Sequence, residues 1–268
     1  MELFIAPRVG IWCRSLSGWD QFRAALASGR EPDERLPEPV PDLLPAREGR
    51  RAPPHVRLAI EAGTQACREN GVDPGEVMTV FASAMGDIQI TDYMCRTLAG
   101  PAPMLSPTRF HNSVHNTASG YWSIGAENRQ VSVAIASQAC TFPVAMLEAA
   151  TLAACEGGTV LLIAHDIAAS APLDAVCANS QPFAAAILLS ARQVTGHWRP
   201  LWAEYRREQA PWPETDGDWL QRLADENYCA RSLPLLAALA GGGPFQITLP
   251  VGEFASLRLA SGNSPGQR

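Results

Sequence analysis

Cys140 occupies a position in the sequence that would suit a nucleophile. The run QVSVAIASQACTFPVAMLEAATLAACEGG (130–158) predicts a strand, a tight turn that contains Cys140, and a helix of small apolar residues. A helix N-terminus carries about half a positive charge and free backbone amides, which favour a thiolate and a developing oxyanion. Acyl transfer through Cys140 is therefore chemically sound. The competing interpretation is an inert buried thiol, because most of its neighbours are small or apolar.

A nucleophilic cysteine also needs a general base within hydrogen-bond reach, and the sequence contains five histidines. His111 and His115 lie four residues apart in HNSVH, which predicts that they share one helix face. His165 ends the apolar run LLIAHD, and we expect it to pair with Asp166 in a turn. His55 lies in a loop-like context and is expected to be solvated. His111, His115 and His165 are therefore the candidate partners of Cys140.

The spacing of the two histidines in HNSVH also matches zinc-binding helices, but the evidence for a metal is weak. Such helices carry a glutamate after the first histidine, whereas this chain has Asn112, and no third ligand is evident. We expect no metal. Asn112 and Asn116 are also four residues apart, as the two histidines are. The segment therefore predicts a polar stripe that forms hydrogen bonds to a neighbouring loop or a partner subunit. We favour that structural role over a catalytic one.

The composition excludes several classes of function. The formal net charge is −6, which argues against a nucleic-acid partner. All 21 basic residues are arginine, so Schiff-base chemistry and a P-loop lysine are excluded. Seven irregularly spaced cysteines without a CxxC pair support neither a disulfide framework nor a zinc ribbon. We find neither a spanning apolar run nor a basic secretory leader, and we expect a cytoplasmic protein.

Strands alternate with helices along most of the chain, which predicts a layered α/β fold. We predict a single domain over residues 1–260, with a tail at 261–268. The Pro-rich, charged segment 31–54 is expected to be an exposed loop. The segment RFHNSVHNTASGYWSIGAE (109–127) is predicted to be one helix.

The order of four segments resembles the N-terminal half of the β-ketoacyl synthases, which have the thiolase fold. SGWDQFRAALASGR is similar to an early helix of that family, and LAIEAGTQACRENGVDPGEVMTVFASAMG to its helix, turn and strand. SPTRFHNSVHNTASGYWSIG is similar to the helix that precedes the active site, and VSVAIASQACTFPVAMLEAA to the nucleophile strand and helix. The likeness covers roughly residues 1–192 and places Cys140 near or at the acyl-accepting cysteine.

The chain also departs from the β-ketoacyl synthase pattern. It lacks the His-Gly-Thr-Gly-Thr motif and the essential lysine of the second half, so it resembles a truncated α-β-α thiolase-like fold. Bulky Phe142 and Pro143 replace small residues after the cysteine. The chain as a whole, including ARSLPLLAALAGGG and ITLPVGE, is similar to small ketosynthase-like proteins of aryl polyene and xanthomonadin-type pigment clusters.

That resemblance implies a non-catalytic, chain-length-factor-like subunit in type II fatty-acid or polyketide synthesis. Its implied partners are an active ketosynthase in a heterodimer, or a second copy in a homodimer, together with an acyl carrier protein; no cofactor is implied. The candidates for the shared acyl tunnel or the interface are Phe110, Asn112, Asn116, Tyr121, Trp122, Gln138 and Phe142.

Two alternatives remain open. The first is a minimal condensing enzyme or acyltransferase that uses Cys140 with one of the three histidines. The second is a stand-alone binder of acyl groups or of an acidic carrier protein, through the arginine-rich stretches REGRR, which includes Arg50 and Arg51, and EYRRE.

Overall fold

A computed structural model describes residues 1–33, 35–101, 104–194, 197–215 and 217–262, and these residues form helices around one ten-stranded sheet. The strands are β1 (Glu2–Ile5), β2 (Gly10–Cys13), β3 (Leu16–Ser17), β4 (Met78–Ala82), β5 (Ser132–Ile135), β6 (Thr159–Asp166), β7 (Phe183–Ser190), β8 (Arg199–Arg206), β9 (Phe245–Pro250) and β10 (Ser256–Ser261). The helices are α1 (Trp19–Ser28), α2 (Ala46–Arg51), α3 (Pro54–Asn70), α4 (Ile88–Leu98), α5 (Pro107–His111), α6 (Thr117–Gly125), α7 (Thr141–Glu156), α8 (Asp218–Glu226) and α9 (Leu233–Gly241).

The sheet has the main strand order β5-β4-β6-β7-β1-β8-β10-β9, with β2 also paired to β7 and to β3. Strands β5, β4 and β6 run parallel, whereas β7 runs antiparallel to β6. Every residue of β7, and all but the first of β6, is buried. Their almost unbroken apolar sequences suit strands that are covered on both faces.

Two apolar cores sandwich the sheet, because successive side chains of a strand point to opposite faces. Val160, Leu162 and Ala164 of β6 pack with α7, α1, α8 and α9 in one core. Leu161 and Ile163 pack with α3 and α6 in the other. The predicted α-β-α layering is therefore confirmed.

Helix α7 is the central helix of the first core. It ends at Gly157, whose φ of 72° lies in the left-handed region that favours glycine. Together with the preceding turn, its residues 138–156 form the one helix in the described part of the chain that is long and apolar enough to cross a membrane. Ala145, Met146 and Ala149 are fully buried against the sheet, so α7 serves as a core helix.

The segment that we predicted to be one helix is two. Helix α5 ends at His111 and α6 begins at Thr117, because the Thr117 hydroxyl donates to the carbonyls of Asn112 at 3.1 Å and Val114 at 2.6 Å and closes a turn between them. Asparagine and serine side chains favour such breaks, since they compete for backbone hydrogen bonds. His111 and His115 therefore do not share a helix face.

Most described residues of the Pro-rich segment 31–54 are exposed or half-buried, and four of them, Pro39, Pro41, Leu44 and Ala52, are buried. The segment contains the short helix α2, and Leu44 and Ala52 pack into the core on the α3 side. At the other end, the predicted tail 261–268 begins with Ser261, which is the last residue of β10. Residues 263–268 lie outside the described residues.

Helix α3 packs closely against the sheet at Gly10 of β2, and this packing predicts that a single added methyl group destabilises the protein. A Cβ at this position would lie 1.8 Å from the carbonyl oxygen of Ala62 in α3. Because backbone atoms must move to relieve that overlap, we expect Gly10→Ala to lower the free energy of unfolding by about 3 kcal/mol or more.

Gly120→Ala is the matched control, because a Cβ there meets no atom within 4 Å. It should be neutral or stabilise α6 by up to about 1 kcal/mol. Urea denaturation of the three proteins measures both effects. Equal stability of Gly10→Ala and the wild type would contradict the close packing of β2 on α3.

Candidate functional site

Cys140 lies at the start of α7, where the sequence placed it. It is the last residue of a 3₁₀ turn, Gln138–Cys140, that connects β5 to α7. Thr141 fixes this turn, since its hydroxyl donates to the carbonyl of Gln138 at 2.7 Å and accepts from the amide of Ser137 at 2.9 Å. Gln138 has a φ of 47°, a left-handed conformation that is uncommon for a non-glycine residue. The backbone turn at Cys140 is therefore tightly constrained.

The surroundings of the Cys140 thiol disfavour the thiolate. The thiol is half-buried, and burial raises its pKa above the ordinary value of 9.0. The positive charge of Arg231 opposes this rise without reversing it. The Arg231 guanidinium lies over the ring of Trp212 at 4.6 Å from its centroid. Sequence reasoning missed Arg231, because its approach to Cys140 is a tertiary contact between residues far apart in the chain.

The three candidate bases lie apart from Cys140, and no described histidine forms a hydrogen bond with its sulfur. His111 is exposed on α5, and Nε2 of His115 lies 2.9 Å from the carbonyl oxygen of Ser83. His165 stacks with His55 of α3, whereas α7 covers the opposite face of the sheet. Among the described residues no group of histidine, cysteine and acidic side chains has the geometry to hold a metal ion.

His55 and His165 belong to a buried polar cluster between the sheet and α3. The two rings stack with centroids 6.1 Å apart, and Nδ1 of His55 lies 2.9 Å from Oδ2 of Asp87. Our expectation that His55 is solvated is wrong, because it lies in α3 and only 3% of it is exposed. His165 is buried with its Nδ1 unpartnered among the described residues, and burial lowers its pKa well below 6.5, assisted by His55 and His115.

The side chain of Asp166 forms a second buried network instead of the predicted pair with His165. Its carboxylate accepts from the Ser83 hydroxyl at 2.7 Å, from the Cys229 thiol at 3.2 Å, and from the amides of Ala84 and Met85. Burial nevertheless raises the pKa of Asp166, and these donors act against that rise. The adjacent His165 and Asp166 in LLIAHD indicated polar groups at the end of a buried strand. The hydrogen-bond donors to Asp166 come from distant segments of the chain, so the sequence did not predict them.

A cavity of about 550 Å³ lies between α2, α5 and α6. Its wall includes three of the sequence-predicted candidates, Asn112, Asn116 and Tyr121, together with His111. Asn112 and Tyr121 are buried, with exposed fractions of 4% and 7%, whereas Asn116 and His111 are exposed. The structure thus brings these four residues around one volume, on a different part of the surface from the Cys140 turn.

The remaining tunnel or interface candidates have different environments. Trp122 and Phe142 are 0% and 1% exposed within the two cores, so neither presents surface to a partner. Phe110 is 60% exposed on α5, and Gln138 is exposed in the turn before Cys140.

Strand β5 is an edge of the sheet and lies beside exposed apolar side chains. Among the strands that the structure describes, β5 pairs with β4 alone, and α6 contacts it. Val131, which precedes β5, is 47% exposed, and Ile124 of α6 is 56% exposed. Val114 and Phe110, in and before the α5–α6 turn, are 53% and 60% exposed. An unpaired strand edge next to exposed apolar groups is typical of a protein–protein contact surface.

This layered α/β architecture, with a cysteine between an edge strand and a buried helix, defines a thiolase-like fold. The family model for the beta-ketoacyl synthase N-terminal domain matches residues 19–238. The chain therefore belongs to the β-ketoacyl synthase family. No curated protein sequence matches it at a significant level.

Solved structures share the fold at low sequence identity. The ketosynthase (ApeO) in complex with its chain length factor (ApeC) from Xenorhabdus doucetiae has a TM-score of 0.69 at 22% identity, over 97% of this chain and 99% of that chain. The ishigamide ketosynthase/chain length factor has a TM-score of 0.69 at 12% identity, over 97% and 98%. AntDE:AntF, a type II PKS acyl-carrier protein in complex with its ketosynthase bound to the hexaketide, has a TM-score of 0.63 at 10% identity, over 97% and 99%.

The buried position of His165 predicts a pH-dependent stability. The folded protein disfavours protonated His165, because its folded pKa lies well below the ordinary value of 6.5, whereas the unfolded chain binds that proton near pH 6.5. The free energy of unfolding should therefore decrease as the pH falls below 6.5, by up to about 1.4 kcal/mol per pH unit for this one group.

Urea denaturation between pH 7.5 and pH 5.5 measures this effect, with His165→Leu as the comparison. The variant lacks the group, so its stability should fall less over this interval. Asp87, His55, His115 and Asp166 remain in both proteins, so the difference between the two curves isolates His165. Parallel curves would contradict a neutral, buried His165.

Proposed function

We propose that this protein is a non-catalytic ketosynthase-like subunit that pairs with an active β-ketoacyl synthase, in the manner of a chain length factor. The observation that carries the proposal is the isolated Cys140: it lies at the start of α7 after the edge strand β5, but no described histidine forms a hydrogen bond with its sulfur. Because condensation requires an activated thiolate and proton transfer, this site by itself supports scaffolding rather than catalysis. The reaction would then take place in the partner, within type II polyketide or fatty-acid synthesis.

The surface around β5 is the proposed contact with the ketosynthase. The carbonyls of Val131 and Ile135 accept from the amides of Thr79 in β4 and of Ser83, the residue after β4. Since backbone groups alternate in direction along a parallel strand, Ser132 and Ala134 direct theirs away from β4. A partner strand can therefore add to this edge, while the exposed apolar side chains of α5 and α6 bury against the partner.

The cavity between α2, α5 and α6 supports the acyl-shaping part of the proposal. Its 550 Å³ falls in the size range of small-molecule sites, which is roughly 300–1,000 Å³. Ile124 of α6, a helix that contacts β5, is exposed and also lines the cavity. A subunit that covered α6 would lie beside the cavity, so the cavity could complete an acyl tunnel.

An acidic acyl carrier protein is the second proposed partner. The REGRR stretch forms most of α2, where Arg50 and Arg51 are exposed and have no ion pair among the described residues. Arg206, in the EYRRE stretch, is instead paired with Glu204 and Glu208. We therefore favour α2 as the carrier-protein contact. The likeness of the whole chain to the pigment-cluster proteins extends the proposal to aryl polyene synthesis in the cytoplasm.

Reconstitution with Cys140→Ala tests the catalytic role directly. The active ketosynthase, the carrier protein and this chain are combined with a malonyl donor, and product length and amount are measured by mass spectrometry. We expect the variant to give the same products in amounts within about twofold, because a thiol-to-methyl change at a half-buried site is small. Loss of product would instead assign the condensing role to Cys140 and contradict the proposal.

A proline in β5 tests the proposed pairing edge. Ala134→Pro removes an outward-facing amide and no β4–β5 hydrogen bond, so the fold should persist. We expect affinity for the ketosynthase to fall at least about tenfold, which corresponds to about 1.4 kcal/mol. Ala134→Ser is the matched control, because it keeps the amide and should bind as the wild type does.

Co-purification of the tagged chain with the ketosynthase, together with circular dichroism of each variant, provides the measurement. Binding by a folded Ala134→Pro variant at the wild-type level would exclude β5 as the contact. Absence of binding by the wild type would contradict the heterodimer itself.

A further inference from the structure

Helix α2 forms one wall of the cavity between α2, α5 and α6 but contributes no residue to either core. None of its six residues is buried, and no side chain caps its N-terminus. Glu48 and Arg51 of α2 line the cavity together with Tyr121 and Ile124 of α6. Because an isolated helix of this length is unstable in water, α2 depends on the contacts that hold its two ends.

Two apolar side chains anchor the chain on either side of α2. Leu44 precedes the helix and Ala52 follows it, with exposed fractions of 7% and 4%, and both pack in the core on the α3 side. Leu44 packs against Gly125, the last residue of α6. A Cβ at Gly125 would lie 2.7 Å from the Cδ2 atom of Leu44 and 3.0 Å from the carbonyl oxygen of Leu43. The missing side chain of Gly125 therefore leaves the space that this anchor occupies.

Arg57 of α3 provides the hydrogen bonds that tie α2 to the rest of the fold. Its Nε donates to the carbonyl of Ala52 at 2.9 Å, and its Nη2 donates to the carbonyl of Gly49 at 3.1 Å. In the part of the chain that the structure describes, residues 45–52 form no other hydrogen bond to a residue outside this range. A single side chain thus fixes the last turn of α2 against α3.

Prolines separate α2 from its neighbours in the chain. Pro45 precedes the helix, and Pro53 follows Ala52. Because a proline lacks the amide and disfavours a helical conformation of the residue before it, α2 does not continue into α3. Helix α2 can therefore separate from the cavity while α3, α6 and the sheet keep their packing. Such opening breaks only the Leu44 and Ala52 anchors and the two hydrogen bonds of Arg57, which places it among the low-cost local unfolding events.

We propose that α2 is a lid of the cavity, which opens by local unfolding between Leu44 and Pro53 and is held shut by Arg57 and by the packing of Leu44 on Gly125. The closed lid covers Tyr121, which is 7% exposed, and the open lid gives access to it. The lid thereby controls when a molecule in solution reaches the inner wall of the cavity. This inference does not rest on the proposed function, since it involves neither a partner subunit nor a substrate.

Trypsin measures the opening, because α2 contains Arg47, Arg50 and Arg51 and a protease cleaves a locally unfolded segment. When opening is fast relative to cleavage, the cleavage rate follows the population of the open form. We expect Arg57→Gln to raise the rate of cleavage after these three arginines at least about tenfold, since two charge-assisted hydrogen bonds are lost. Arg68→Gln is the matched control in the same helix. Arg68 is exposed and forms no hydrogen bond or ion pair among the described residues, so the rate should stay within about twofold.

A second pair of variants tests the anchor. Gly125→Ala forces Leu44 away from α6, so it should also raise the cleavage rate in α2 at least about tenfold. Gly120→Ala adds the same methyl group to the same helix where a Cβ meets no atom within 4 Å, and it should leave the rate unchanged. An unchanged rate in a folded Arg57→Gln or Gly125→Ala variant would overturn the proposal. Cleavage of the wild type as fast as an unfolded peptide of the same sequence would overturn it as well, because the lid would not be shut.

Hydrogen exchange at increasing urea concentrations separates opening of the lid from global unfolding. Peptides that cover α2 should exchange with a weak dependence on urea, because local opening exposes little surface. Peptides of β6 and β7 should instead follow global unfolding, since these strands are buried on both faces. The same urea dependence in α2 and in the two strands would contradict independent opening.

Acetylation of tyrosine by N-acetylimidazole shows whether α2 covers the cavity. Tyr121 lines the cavity, whereas Tyr205 is 51% exposed and serves as the internal reference in the same molecule. We expect Arg57→Gln to raise the acetylation of Tyr121 relative to Tyr205 at least about fivefold, because the open form is more populated. Faster cleavage of α2 with an unchanged ratio would mean that α2 moves without uncovering Tyr121, and it would overturn the role of α2 as a lid. All of these measurements use the isolated chain, so their outcome is independent of whether a ketosynthase binds.

Discussion

The buried carboxylate of Asp166 links the segments that meet at the carboxyl ends of β4 and β6. Asp166 is the last residue of β6, and it accepts hydrogen bonds from Ser83 and the amides after β4, and from Cys229 of the C-terminal region. The carbonyl of Ser83 in turn contacts His115, so the α5–α6 turn is tied to the same end of the strands. Loss of this carboxylate would leave several buried donors without an acceptor, which explains why an ionisable group is retained in an apolar interior.

The shape of the turn at Cys140 does not depend on the chemistry of its thiol. The turn at Cys140 is kept in shape by Thr141 and by the constrained backbone of Gln138, neither of which requires a reactive sulfur. Burial raises the pKa of the thiol, and the histidines that could act as bases are engaged with Ser83, buried against α3, or exposed beside a separate cavity. The geometry of the turn and the reactivity of the thiol are therefore set by different residues.

Local signals in the sequence were sufficient for most of the fold. The apolar runs of β6 and β7, the proline at the start of α3 and the glycine after α7 each specify an element through nearby residues. The break before α6 could not be predicted, because it depends on the Thr117 hydroxyl and on the contact of His115 with Ser83. Long-range contacts also explain the errors in the candidate site. His55 is buried because Asp87 and His165 lie beside it, and Arg231 approaches Cys140 only in the folded chain.

The unpaired edge of β5 affects the amount of the protein that a cell can maintain. A strand edge that follows exposed Val131 and lies beside α6, with its exposed Ile124, is a template for pairing with any other exposed strand, so an unpartnered copy is exposed to aggregation and proteolysis. Under the proposed pairing, the ketosynthase removes this hazard by covering the edge. The steady-state amount of this subunit would then follow the amount of its partner, and the stoichiometry of the complex would be maintained by selective loss of the excess chain.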